Sequence, residues 1–310
     1  MTPATPRIVS LLASGTEIVD ALGLGECLVG ISHECDHPPH LLDRPRVSRP
    51  RFDPEALSSG EIDAAVRQAM DEHGSVYEVD AAVLEKLQPD IVITQAVCDV
   101  CAVPTDGVRE VLGARGIEAD VVSLDAHTID DILASVTQVA RAAGSPDTAR
   151  EAGGSLRRRL DAVRAAVRDA VAPRVLGIEW FDPPFAPGHW VPEMIELAGG
   201  RNLAGEAGQP SREVSWDEMG DLDPDTLLLM PCGYGLDASR ADADAHAERL
   251  GEVAPRAISE GRAWVVDASS YFNRSGPRFV TGVEILGGLL HPNRLPAPDP
   301  AVAAVWTPPA

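Results

Sequence analysis

Residues 87–104 read LQPDIVITQAVCDVCAVP. Pro89-Asp90 is a break, and Ile91–Thr94 is a β-branched run of four, the pattern of a strand buried on both faces of a parallel sheet. Beyond it the chain enters a loop that carries Cys98 and Cys101 three positions apart and closes at Pro104. Working outward, Val83–Leu87 and residues 106–115 read as flanking helices and Val121–Leu124 as the next strand. Alternating strand and helix predicts a parallel, doubly wound lobe.

Further toward the N-terminus, Arg7–Leu12 (RIVSLL) reads as a first buried strand, Ser14–Thr16 as a turn and cap, and Glu17–Leu24 as a helix stopped by Gly23 and Gly25. Leu28–Ser32 is a second strand. It ends in His33-Glu34-Cys35-Asp36-His37-Pro38-Pro39, a polar loop whose double proline forbids helix or ladder pairing. Residues 43–60 read as an exposed connection and Ile62–Glu72 as a helix. In 129–143 and 147–171, apolar positions such as Leu156, Leu160, Val163 and Val167 recur at three- and four-residue spacing among charges. That spacing predicts a long amphipathic helix, with Gly153-Gly154 as a point of interruption.

After that helix the landmarks return in the same order. Arg174–Ile178 (RVLGI) parallels Arg7–Leu11 (RIVSL), residues 192–200 (PEMIELAGG) parallel residues 16–24 (TEIVDALGL), and Leu222-Asp223-Pro224-Asp225 parallels Leu87-Gln88-Pro89-Asp90. Two lobes built alike are expected over Arg7–Leu124 and Arg174–Pro292. The corresponding division is 1–128, a connecting segment 129–172, and 173–310.

The 310 residues are 45% hydrophobic, enough to bury a core without disulfide staples. A formal charge of -22 repels phosphate backbones and anionic bilayers, so nucleic acid and membrane are not expected partners. The opening residues show no signal peptide, and no run approaches the length of a spanning helix. The resulting expectation is a cytoplasmic protein with five reduced cysteines.

Cys35, Cys98, Cys101 and Cys232 each follow an apolar run by a few residues, and carboxyl ends of strands are where open α/β folds bind ligands. Thiolates at Cys98 and Cys101, joined by Cys35 and by His33 or Cys232, have the chemistry of a zinc or iron site. The same CxxC pair fits a dithiol redox motif, and the third alternative is a set of thiols that merely line a pocket. Cys27 reads as packing. In the second half, Glu179-Trp180-Phe181-Asp182-Pro183-Pro184 and Gly188-His189-Trp190 place aromatics, an acid and a histidine beside a strand end, which suits a flat, partly polar ligand. The Cys232-Gly233-Tyr234-Gly235 loop leaves room for close approach, and in Tyr271-Phe272-Asn273-Arg274 the guanidinium of Arg274 is the charge partner for an anionic group. P-loop, dinucleotide, nucleophile-elbow and Ser-x-x-Lys signatures are missing.

Taken together, RIVSLLASGTEIVDALGLGECLVGISHECDHPP, LQPDIVITQAVCDVCAV, EWFDPPFAPGHWVPEMIELAGG, LLLMPCGYGL and VVDASSYFNRSGPR resemble the cobalamin-binding branch of the helical-backbone (class III) periplasmic binding proteins. The resemblance implies two Rossmann-like lobes joined by one long helix, with a corrinoid or related metal chelate in the cleft between them. Ser14, His33, Glu179, Trp180, His189, Trp190, Gly233, Tyr271 and Arg274 are the expected ligand contacts, and a permease is the expected partner if the protein is exported. A cytoplasmic zinc or iron metalloprotein and a thiol redox protein stand as the alternatives.

Overall fold

The computed structural model describes residues 5–54, 57–97 and 103–309. The chain forms two compact units, and neither is a single stretch of sequence: one comprises the chain up to Leu57, Ala64–Ala126 and Asp130–Leu156, the other Ser58–Asp63, His127–Ile129 and Arg157 onward.

In the first unit the strands lie in the order Leu28–Gly30, Ile8–Ser10, Ile91–Thr94, Asp120–Ser123, all parallel. Ile91–Thr94 is buried throughout, as a β-branched run covered on both faces must be. Val9, Leu11 and Val92 pack with Leu84, Val108 and Leu112 from the flanking helices to form one core cluster. The helix Ala13–Ala21 starts directly at the strand end, so Ser14–Thr16 are helical and not a turn. Its entry is tight: a Cβ on Gly15 would lie 2.6 Å from Ser10 Oγ and 2.9 Å from Ile93 Cγ2. Gly23, at φ 72°, ends it, with Leu24 N bonded back to Val19 O at 3.0 Å. Within the expected exposed connection, Ser48–Pro50 pairs antiparallel with Tyr77–Val79.

The amphipathic region is two helices, Ile129–Ala142 and Pro146–Val167, separated at Gly144 (φ 70°). Gly153-Gly154 does not interrupt the second. The cost of two glycines, about 1 kcal/mol each relative to alanine, is offset by the buried face of Leu156, Leu160, Val163 and Val167. This 22-residue helix carries the chain from one unit into the other at Leu156–Arg157.

The second unit repeats the strand order of the first: Arg201–Asn202, Arg174–Ile178, Thr226–Leu229 and Ala263–Val266 are parallel neighbours, and Ala303–Val305 adds an antiparallel edge. That edge is anchored by Trp306, which is fully buried and donates its indole N–H to Asp244 Oδ1 at 2.8 Å. A small antiparallel sheet, Trp180–Phe181, Pro184–Ala186 and Arg212–Glu213, grows from the end of the first strand. No helix among the described residues is long and apolar enough to cross a membrane.

In both units the connection from the first parallel strand runs to one side of it and the later strands lie on the other. The crevice outside the carboxyl ends of the first and third parallel strands is therefore the topological switch point, where such sheets bind ligands.

Candidate functional site

In the second unit the switch point lies between Ile178 and Leu229, and two aromatic side chains meet across it. Trp180 opens the hairpin after the first strand, and its indole N–H donates to Asp182 O at 3.1 Å. Tyr234 lies in the loop after Leu229, where Gly233, at φ 80°, allows a tight turn closed by Tyr234 N to Pro231 O at 3.1 Å. The rings meet edge to face, centroids 5.4 Å apart at 65°, and both side chains are half-buried. Burial, and then the charge of Asp242, push the Tyr234 phenol up to about 12, so it stays a neutral hydrogen-bonding group. Cys232, also half-buried, donates its backbone N–H to Glu179 O at 2.9 Å and so ties the two strand ends together.

The other expected contacts of the second unit are each positioned by their own elements. Asp267 caps the short helix Ala268–Tyr271 through Ser270 N, and the Arg278 guanidinium lies 5.7 Å from the Tyr271 ring centre. Arg274 is half-buried and engaged with other groups of the protein. His189 is held at φ 52° by its N–H to Gln209 O at 2.6 Å, with its ring 5.6 Å from that of His127. Burial and the neighbouring His127 lower the His189 pKa and favour the neutral imidazole.

Trp190 corrects the expectation. It is 8% exposed and donates its indole N–H to Phe272 O at 2.7 Å, so it is a core residue that fixes the start of the helix Val191–Leu197. It leaves the set of ring contacts.

In the first unit the histidine–cysteine loop folds onto its own sheet. Arg46 Nη1 donates to Ser32 O at 2.6 Å and Cys35 O at 2.7 Å, His33 Nδ1 hydrogen-bonds Ser48 Oγ at 2.8 Å, and the His33 ring lies 4.7 Å from that of Tyr77. Cys35 is 3% exposed with its Sγ 3.2 Å from Thr16 Oγ1. Ser14 is buried inside the first helix. Cys98 and Cys101 lie outside the described residues. Among the described residues no three His, Cys, Asp or Glu side chains gather to hold a metal. Within this unit the hydroxyls of Ser48 and Thr16 are the near neighbours of His33 Nδ1 and Cys35 Sγ.

Three groups were missed by sequence reasoning. Ser211 holds the Glu179 carboxyl, with its Oγ 3.0 Å from both oxygens. Asp125 accepts Ala96 N at 2.6 Å and Ser123 Oγ at 2.7 Å beside the end of the Ile91–Thr94 strand. His246 stacks between Phe181 and Trp216 beneath the hairpin. Tyr234 lay within a loop already singled out, and its position next to Gly233 was the available signal; Ser211 and Asp125 had none.

Two doubly wound units, the second with aromatic and polar groups gathered at its strand ends, have the architecture in which open α/β sheets bind small molecules. The chain belongs to the periplasmic binding protein family, whose model matches residues 8–250. It is 23% identical over 282 residues to the vitamin B12-binding protein of Vibrio cholerae, covering 90% of this chain and 86% of that protein. It is also 23% identical to the uncharacterized ABC transporter substrate-binding lipoprotein YvrC of Bacillus subtilis, over 93% of this chain and 80% of the relative. Among solved structures, a periplasmic heme binding protein from Pseudomonas aeruginosa superposes with a TM-score of 0.71 at 24% identity, covering 98% of this chain and 99% of that one. The periplasmic vitamin B12 binding protein of Vibrio cholerae gives 0.66 at 22% identity, covering 92% and 96%.

These findings overturn the cytoplasmic expectation. It rested on the opening residues alone, whereas the family and its periplasmic and lipoprotein members point to an extracytoplasmic location.

Proposed function

We propose that this chain is the substrate-binding component of an ABC importer and that its substrate is a corrinoid, delivered to a membrane permease. The observation that carries the reading is the Trp180–Tyr234 pair, half-buried and meeting across the switch point of the second unit. A corrin ring presents a broad apolar face for such rings and a periphery of neutral amides. Gly233, Tyr271 and Arg274 are the further contacts we assign to it in this unit.

The alternative tetrapyrrole, heme, carries carboxylates at its edge. A protein of net charge -22 with Asp182 exposed beside Trp180 repels carboxylates and accepts hydrogen bonds from amides. The relatives named for vitamin B12 binding support the same choice.

Titration of the purified protein with cyanocobalamin, cobinamide and hemin, followed by tryptophan emission and calorimetry, tests the reading. Saturable quenching and heat with the corrinoids are expected. Saturation by hemin with neither signal from either corrinoid would overturn it.

A further inference from the structure

Glu179 joins two strand-end loops of the second unit. Its N–H donates to Phe185 O and its carbonyl accepts from Cys232 N, both at 2.9 Å, so its backbone links the Trp180 hairpin to the Cys232–Tyr234 loop. Its carboxyl is pinned separately. Ser211 Oγ lies 3.0 Å from both carboxyl oxygens, and the Gly188 N–H donates to that same Oγ at 3.1 Å and also serves the carboxyl. The surroundings have no slack, because a Cβ on Gly188 would lie 2.4–2.5 Å from backbone atoms of Gln209, Pro210 and Ser211.

The hydrogen bonds of this cage can serve either protonation state, so burial decides between them. Ser211 has a single hydroxyl hydrogen, which satisfies one carboxylate oxygen and leaves the other to a shared N–H. A neutral carboxyl can instead donate its own hydrogen to Ser211 Oγ while its other oxygen accepts the Ser211 hydrogen. Burial pushes the Glu179 pKa up to about 7, against the opposing pull of Ser211 and Gly188. Part of the residue still reaches solvent, which tempers that push without reversing it.

Among the described residues, the ionisable groups on the elements packed around it are Asp182, His189, Arg212, Glu213, Cys232 and Tyr234, and none bonds the carboxyl. Arg212 is committed to Glu218 at 2.6 Å, and His189 is held neutral. Among the described residues no cation bonds the Glu179 carboxyl.

Resting on the corrinoid reading above, we infer that Glu179 is a positioning residue that fixes the Trp180 hairpin against the Cys232–Tyr234 loop, and that ligand binds to the form in which its carboxyl is neutral, so that binding takes up a proton. A macrocycle seated on Trp180 covers the part of Glu179 that still meets water, which strengthens the preference for the neutral acid.

The test is calorimetry of cyanocobalamin binding to wild type, Glu179→Gln and Ser211→Ala across neutral pH, in buffers of different ionisation enthalpy. For wild type, affinity is expected to fall by up to about tenfold per pH unit above the carboxyl midpoint, with net proton uptake. Glu179→Gln should show a flat profile and no uptake. Ser211→Ala, which removes a bond that holds the pKa down, should move the fall to higher pH. Identical profiles in wild type and Glu179→Gln would overturn the inference. Absence of corrinoid binding at every pH in all three proteins counts against the ligand assignment instead. In that case Trp180 emission of the ligand-free protein decides: a pH transition near neutrality that Glu179→Gln abolishes sustains the role of Glu179, and its absence from wild type refutes it.

Discussion

Asp225 clamps Arg174 at the start of the second unit's sheet: its Oδ2 accepts the Arg174 N–H at 2.8 Å while its own N–H donates to Arg174 O at 2.8 Å. Asp90 holds Arg7 in the same way, at 2.7 and 2.8 Å. In each unit the arginine guanidinium then reaches back to the carbonyl of the leucine three positions before the aspartate, Leu87 or Leu222. The residue between that leucine and the proline is left-handed in both, Gln88 at φ 42° and Asp223 at φ 40°. The Leu-x-Pro-Asp repeat thus encodes a device that sets the register of the first and third strands.

The clamp predicts an acid-sensitive contribution to stability. The Arg174 N–H, and then Arg256 at 2.6 Å, hold the Asp225 pKa below its ordinary value. A depressed carboxyl stabilises the fold above its unfolded pKa, and that contribution disappears as pH falls through the folded one. Asp225→Ala should cost about 1–2 kcal/mol near neutrality, discounted for partial exposure. In urea melts the gap to wild type should close below about pH 3.5; a constant gap would refute the clamp as an electrostatic device.

The two tryptophans should separate stability from binding. Trp190→Ala empties a core position and strands Phe272 O, at a cost of about 3–5 kcal/mol. Trp180→Ala should leave stability within about 1 kcal/mol. It should weaken corrinoid binding by about tenfold, the size of one lost aromatic contact. Thermal melts and ligand titrations on both variants check this, and loss of binding in neither would remove Trp180 from the site.

What the sequence revealed and what it hid have the same physical origin. Ile91–Thr94 was legible because a run buried on both faces needs no partner to be recognised, and the repeated Leu-x-Pro-Asp announced the second unit. The start of the first helix was not, since it depends on Gly15 fitting against Ser10 and Ile93, a contact made across the sheet. The hydroxyl neighbours of His33 and Cys35, Ser48 and Thr16, come from other elements and carry no sequence signal. Trp180 and Trp190 are chemically alike, and only packing assigns one to the surface of the switch point and the other to the core. Ser211 lies 32 residues from Glu179 with no periodicity connecting them.

Gly188 tests whether the cage around Glu179 is rigid. An added Cβ would fall 2.4 Å from Ser211 N, and backbone cannot yield as a flexible side chain does. Gly188→Ala should therefore destabilise the protein by about 3 kcal/mol or more. Gly233→Ala, where a Cβ meets nothing within 4 Å, should cost only the strain of its positive φ, about 1 kcal/mol. Equal losses in denaturant melts would mean that the Pro187–His189 turn is looser than this packing requires.

His246 predicts the opposite pH dependence from Asp225. Its ring lies between Phe181, stacked at 5.3 Å and 15°, and Trp216, at 6.3 Å and 24°. Nδ1 is 2.8 Å from Asp242 O and 3.4 Å from Asp242 Oδ1, and Ser59 Oγ donates to that same Oδ1 at 3.1 Å. The Asp242 side chain raises the His246 pKa against the effect of burial, with Asp182 adding a smaller push. A raised imidazole contributes stability that is fully present below its unfolded value, about 6.5, and is lost as pH rises through the folded value. Asp242→Asn removes the charge while keeping an oxygen for Ser59. It should lower the His246 titration midpoint seen by proton NMR of the imidazole, and it should abolish the part of the wild-type stability decline above neutrality that belongs to this pair. An unchanged midpoint in Asp242→Asn would show that the aromatic stack, and not the carboxylate, governs this histidine.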